Sequence, residues 1–395
     1  MLTDADRSAV RARCAEVLEA NWREGTRADG VPYAYTCPAA GHYPWQWYWD
    51  SCFAAIARRD LNPAKSKREL TSLLNAADPD GFIGHTIFWA TPLSGIRRLT
   101  YNVTGPDATM TASIQPPLLA WAWQLAVGDP AQEPRIGAHY DWLANNRDLE
   151  GDGLIWIVQP DESGLDASPQ FDPIWGWRGG GEPGFVTLVA RNRKLKYDLK
   201  RIAAAGGPVC CELVTNVLYS LGKTALGRPS ITNALIERCY DERSGLFQPD
   251  ARPKPKQHQP VTWASLAPLA LPDLPDQIAR RLIEEHLLDP KRFWFPAGTT
   301  TVAADEKTFQ RGDKGFLGIH RYWRGPVWVN ASWLLWLGLK RLGYTEEADE
   351  LVTRIVTTIN AQGLREYYDP VSGAGLGQSD FSWSSLVLEL VRPDS

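Results

Sequence analysis

The chain has 395 residues, enough for two or three domains at roughly 150 each and equally for one large helical or barrel domain. Apolar residues make up 44% and charged residues 22%, which supplies ample material for a core and excludes extended disorder. Lys plus Arg number 42 against 46 Asp plus Glu, and the net charge of −4 argues against nucleic acid as a main partner; the outlying count is 18 Trp, above 13 Tyr and 11 Phe.

The N-terminus, MLTDADRSAVRARCAEVLEANW, is charged throughout and has no apolar run suited to a signal peptide, so a cytoplasmic protein is expected. Thr3 and Asp6 suit a helix start, and Val10, Cys14, Val17 and Leu18 recur at helical spacing behind them. Leu154 to Val158 is a short strand candidate, with no series of alternating runs to support a central sheet. Val214, Val217, Leu218 and Leu221 predict an amphipathic helix, as do Ala348, Leu351, Val352, Ile355, Val356 and Ile359. Asp250 to Pro260 reads as an exposed connector. Val327 to Leu339 is apolar on almost every side, which predicts burial inside a bundle. Asn330 and Ser332 interrupt it, and it falls short of the roughly 20 residues of a membrane span. An outer and an inner ring of helices would give both kinds, an all-α architecture. Cys14, Cys37, Cys52, Cys210, Cys211 and Cys239 form no CxxC pair and read as reduced core thiols.

Long loops rich in Gly, Pro and Trp separate the helices at Tyr33 to Asp50, Thr91 to Pro117, Asp161 to Gly184 and Phe293 to Pro326, and loops of that length in a compact domain are usually functional. The tryptophans cluster there beside acids. HYPWQWYWD ends on Asp50; QPDESGLDASPQFDPIWGW carries Glu162, Asp166 and Asp172 ahead of Trp175 and Trp177; HRYWRGPVWVNASW joins Trp323, Trp328 and Trp333 to Arg324; LREYYDP sets Glu366 beside two tyrosines. Aromatic faces stack on the C–H face of a sugar ring while Asp, Gln and Arg bind its hydroxyls, so these clusters have the composition of a carbohydrate pocket.

Hydrolysis of a glycosidic bond needs two carboxyl groups, one to protonate the leaving oxygen and one to activate water or attack carbon. Asp166, among Gly164, Leu165 and Ala167, has surroundings that hold a carboxyl protonated by desolvation, and Glu366 sits in a more polar loop. Composition leaves Glu162, Asp50, Asp172 and Asp369 as alternatives. DLEGDG at Asp148 to Gly153 begins like a calcium loop but has Gln159 at the twelfth position, so it reads as a turn. RGGGEPG at Arg178 to Gly184 lacks a preceding strand and a GK[ST] ending, and His42, His85, His139, His258, His286 and His320 show no ligand spacing; no metal and no cofactor are expected.

HYPWQWYWDSCF, DGFIGH, IQPP, PDESGLDASPQFD, YWRGPVWVN, LREYYDP and GLGQSDFSW occur in this order over Tyr33 to Trp383. The order resembles the glycoside hydrolase family of processing α-glucosidase and bacterial mannosylglycerate and glucosylglycerate hydrolases, most of all the glucosylglycerate hydrolases. The resemblance implies an (α/α)6 toroid forming one catalytic domain over 1–395, with long active-site loops and a small cap inserted at 161–207. It also implies that Asp166 is the general acid and Glu366 the general base of an inverting reaction. Tyr43, Trp47, Trp49 and Asp50 match the pocket for the non-reducing sugar, and Gln115 is expected to bind its hydroxyls. Tyr322 and Trp323 match a loop that closes over substrate, with Glu162 and Arg324 also counted as substrate-binding. VARNRKLKYDLK supplies cations for a glycerate carboxylate, with Arg191 and Tyr197 the expected partners.

The expectation is therefore an enzyme that cleaves glucosylglycerate, mannosylglycerate being the nearer alternative and a general α-glucosidase on kojibiose- or trehalose-like disaccharides the next. It acts on a small glycoside without nucleic acid or membrane, and a homo-oligomer is left open. A terpene-cyclase-like α/α toroid is disfavoured because no DxDD motif is present. A non-catalytic sugar-binding protein remains the alternative of another class.

Overall fold

The N-terminal helix begins on its expected cap. Thr3 Oγ1 accepts from Asp6 N at 3.2 Å and Asp6 Oδ2 accepts from Thr3 N at 3.0 Å, a reciprocal box that starts the helix Asp4–Ala20 and turns Val10, Cys14, Val17 and Leu18 inward. This computed structural model describes residues 2–90, 93, 101–103, 108–176, 178, 184–313 and 321–392. Trp177, most of the RGGGEPG segment and His320 lie outside the described residues.

Helices of two kinds dominate. Asp4–Ala20 and Thr345–Gln362 bury one face each, the second through Ala348, Leu351, Val352, Ile355, Val356 and Ile359. Val329–Leu342 is buried on almost every side, as its composition predicts, and packs on Thr345–Gln362. Tyr48–Arg58 is buried at every residue and packs against Pro63–Ala76 and Leu119–Ala126. Leu213–Ala225 departs from the amphipathic expectation, for every residue from Leu213 to Gly222 is buried. Its polar positions are satisfied internally: Asn216 Oδ1 accepts from Ile155 N at 2.9 Å and Nδ2 donates to Ile155 O at 2.8 Å, so a polar stripe here marks a buried bond and not a solvent face.

Among the described residues the sheets are two-stranded antiparallel pairs. Leu154 to Val158 forms no regular strand; Ile155 bridges to Asp148 and Ile157 to Cys210. The expected connector opens as strand Asp250–Arg252, paired with Val209–Cys211. Two pairs position the site: Gln46–Trp47 with Thr86–Ile87, and Arg365–Tyr368 with Gly375–Ser379. The second has an irregular register between Arg365 and Tyr367, so Glu366 stands at a bulge, a device that re-aims a side chain out of the alternating pattern. Asp148 closes a turn by accepting from Gly151 N at 2.7 Å and Gly153 N at 3.0 Å. All six cysteines are buried and unpaired. Among the described residues no helix is long and apolar enough to cross a membrane.

Candidate active site

The long loops and the starts of two inner helices surround one pocket with about 440 Å³ of empty space. Strand Gln46–Trp47 runs straight into helix Tyr48–Arg58, and this sharp change brings Trp47, Trp49 and Asp50 to one wall. Tyr43 stands edge-on to Trp47, ring centroids 5.8 Å apart at 85°. Gln115 is buried beside them and its Oε1 accepts from Trp49 N at 2.9 Å, so what it offers the pocket is its NH2 donor group. Gly164, at φ +72°, passes so close that a Cβ there would lie 2.4 Å from the Trp49 ring.

Three carboxyl groups line this pocket. Asp166 accepts from the Tyr322 hydroxyl at 2.8 Å. Its pKa is raised, first by burial and then by the charge of Asp161, while His85 and the Tyr322 bond pull the other way. Glu366, 8% exposed, accepts at Oε2 from Gln378 N at 3.0 Å. Burial pushes its pKa up to about 7; the Gln378 bond opposes this, and the charges of Asp166 and Asp313 add to it. Asp50 is raised well above the carboxylate range by burial, then by Glu366 and Asp166. Carboxyls that share a dry site oppose one another's ionisation.

A block of indoles continues from Trp49, whose ring meets Trp383 edge-on with centroids 5.4 Å apart. Trp323, at φ +63° and 1% exposed, stacks on Trp328 with centroids 3.7 Å apart at 9°, and Trp383 meets Trp328 edge-on at 5.2 Å. The indole N–H groups of Trp47, Trp328 and Trp383 are buried and, among the described residues, have no hydrogen-bond partner. The pocket is walled by rings, three of them with unspent donors.

Comparison with known proteins identifies the family. The family described as the mannosylglycerate hydrolase MGH1-like glycoside hydrolase domain matches residues 43–220 and 223–384. The chain belongs to this glycoside hydrolase family. A mannosylglycerate hydrolase of Rubrobacter radiotolerans is 28% identical over 95% of this chain and 95% of its own length. A glucosylglycerate hydrolase of Mycolicibacterium hassiacum is 24% identical over 95% of this chain and 96% of its own. The crystal structure of the GH63 mannosylglycerate hydrolase from Thermus thermophilus in complex with Tris and D-glycerate shares the fold, with a TM-score of 0.78 over 96% of this chain and 99% of that one at 24% identity.

The hydrolase gathers Tyr43, Trp47, Trp49, Asp50, Gln115, Asp166, Tyr322, Trp323 and Glu366 around the pocket, and leaves four of the expected site residues outside its lining. Glu162 is a buried strut: its oxygens take Arg147 at 2.7 Å twice, Ile114 N at 3.0 Å and Val158 N at 2.8 Å, which exhausts its acceptors. Arg324 is spent on Asp172, at 2.9 and 2.6 Å, behind the indole wall. Arg191 is turned to Asn192 Oδ1 at 3.0 Å, and Tyr197 donates to Asn102 Oδ1 at 3.2 Å. Two of the alternative carboxyls are likewise tied elsewhere, Asp172 to Arg324 and Asp369 to Arg311 at 2.9 Å.

His85, Phe381 and Trp383 line the pocket without having been counted as site residues, and Trp328, noted in its aromatic cluster, joins them there. They lie in DGFIGH, YWRGPVWVN and GLGQSDFSW, so the motifs carried the signal while spacing did not say which side chain turns inward. Gly377 belongs with them: at φ +62°, a Cβ there would lie 2.5 Å from Glu366 Oε2.

Proposed function

We propose that this hydrolase cleaves the α-glycosidic bond of a hexosylglycerate with inversion, Asp166 acting as general acid and Glu366 as general base. The observation that carries the reading is the meeting of these two carboxyls, both with raised pKa, in one indole-walled pocket. Asp166 gives its proton to the glycosidic oxygen as the anomeric C–O bond breaks and its electron pair passes to that oxygen. Glu366 takes a proton from water whose oxygen bonds the anomeric carbon on the opposite face. Asp50 and the Gln115 NH2 group hold the sugar hydroxyls, and Tyr43, Trp47 and Trp49 cover its ring.

The sugar is mannose or glucose. One of the two relatives is named for mannosylglycerate and the other for glucosylglycerate, and the former is the more similar of the two, so mannosylglycerate takes the first place that the motif order assigned to glucosylglycerate. The placement of Arg191 and Tyr197 gives no support to their role in holding the glycerate carboxylate. The reading includes the (α/α)6 toroid as the frame of a single domain, with 161–207 as its cap, and a place in the cytoplasm.

The test is 1H NMR of the purified protein with mannosylglycerate, glucosylglycerate, kojibiose and trehalose. The expected result is free hexose first released as the β anomer, with D-glycerate. Turnover of the disaccharides alone moves the assignment to a general α-glucosidase. Sugar binding without any turnover moves it to a binding protein.

A further inference from the structure

Behind Asp166 lies a second buried carboxyl that the proposed reaction does not use. Asp161 is on the same segment and 5% exposed. Its Oδ2 accepts from Asn102 Nδ2 at 2.7 Å and Gln159 Nε2 at 3.0 Å, with His85 Nδ1 at 3.7 Å, while Oδ1 is buried with no partner among the described residues. The two amides are themselves held: Asn102 takes the Tyr197 hydroxyl at 3.2 Å and Gln159 takes Asn192 Nδ2 at 2.9 Å. The contrast with Glu162, next in sequence, is one of charge. Arg147 cancels Glu162 at 2.7 Å, whereas Asp161 is clamped by neutral amides that orient the carboxylate and leave its charge in place. The titratable ring within reach of Asp161 is His85, which also lines the pocket with Asp166 and stands edge-on to Trp47 at 5.0 Å.

We propose that Asp161 is a positioning residue that keeps Asp166 protonated through its uncancelled charge, and that His85 is the switch that cancels it. The proposal rests on the reading of Asp166 as general acid. A carboxylate beside a second carboxyl in a dry wall makes loss of the second proton harder. Neutral His85 leaves that effect whole. Protonated His85 pairs with Asp161 and removes it. The electrostatics of Asp166 run the same way, with Asp161 the main charge opposing its ionisation and His85 favouring it. The other groups around the pair are Tyr322 on Asp166, Glu366 and Asp50 in the same pocket, and Tyr197 with Arg193 and Glu162 behind Asp161. Because Asp166 acts while protonated, the device extends activity toward higher pH.

The experiment compares pH profiles of kcat/KM for wild type, Asp161→Asn and His85→Gln. In Asp161→Asn one amide oxygen can still receive both clamps, with the NH2 group in the place of Oδ1. Asp161→Asn is expected to move the alkaline limb down by about one pH unit, a roughly tenfold loss above the limb that vanishes at low pH. His85→Gln removes the cancelling cation and is expected to leave that limb in place or raise it. A uniform loss at all pH with the limb fixed, or a downward shift from both variants, overturns the proposal. If wild type turns over no glycosylglycerate, the functional reading has failed, and the inference is then tested by the 13C titration of the Asp166 carboxyl, assigned by difference against Asp166→Asn. Its midpoint is expected to fall in Asp161→Asn; an unchanged midpoint overturns the proposal. Should Asp161→Asn fail to fold, His85→Gln decides by the direction of the same midpoint, a fall counting against it.

Discussion

Gly377→Ala isolates the part of the site that aims the proposed base. Gly377 has φ +62°, and a Cβ there would lie 2.5 Å from Glu366 Oε2 and 2.7 Å from Glu366 Cβ. The left-handed backbone costs a non-glycine residue about 1–2 kcal/mol, which for 395 residues corresponds to a melting shift of roughly 1–3 °C. Gly343→Ala is the matched control, since Gly343 has φ +81° and nothing within 4 Å of its Cβ. It is expected to show that backbone cost alone. In Gly377→Ala the clash falls on the carboxylate, which must leave the Gln378 N–H now 3.0 Å from Oε2. A hydrogen bond to a charged group contributes about 1.5–3 kcal/mol, so kcat/KM is expected to fall on the order of 10- to 100-fold. Its acid limb moves to higher pH, because the bond to Gln378 is what opposes the rise in the Glu366 pKa. Thermal melts and pH profiles of both variants supply the check. Activity within about threefold of Gly343→Ala, with the acid limb unmoved, refutes the idea that this bulge and its glycine position the base.

Glu366→Gln is expected to lose turnover and gain stability. The folded carboxyl titrates near 7 against an ordinary 4.5, so folding favours its protonated form, and stability is full below 4.5 and lost as pH rises through 7. The neutral amide escapes that loss of about 3 kcal/mol, so the variant melts above wild type at pH 8 and level with it at pH 4; equal melting at both counts against a desolvated base. Glu162→Gln breaks a buried ion pair and is expected to cost about 3–5 kcal/mol in urea unfolding, whereas unchanged stability with a raised KM would restore Glu162 to substrate binding. Tyr322→Phe removes the hydroxyl 2.8 Å from Asp166, a bond that favours the ionised acid, so the alkaline limb of kcat/KM is expected to rise in pH while kcat falls; a limb that drops refutes that reading.

The sequence by itself determined the principal helices and the residue types that gather at the pocket. Helical spacing of Val10, Cys14, Val17 and Leu18, and the all-round apolarity after Val327, reflect local periodicity, which survives in any tertiary setting. Trp47, Trp49, Asp50, Asp166 and Glu366 stood out because rings beside acids have few other uses, and motif order tied them to one family. Tertiary structure decided which charges are free. Glu162, Arg324 and Asp369 lie, like Asp166, in the aromatic and acidic motifs, yet each meets an opposite charge from another segment and is cancelled there. The buried face of Asn216 has no local signature because its partner, Ile155, is distant in sequence, and the bulge that turns Glu366 inward shows only in the register of its strand pair. The large count of Trp belongs to both levels: composition announced a sugar-sized aromatic wall, and only packing chose Trp328 and Trp383 to build it while turning Trp156 and Trp175 into core. Burial removes water from a side chain whatever its neighbours in sequence, and that removal raises the pKa of Glu366.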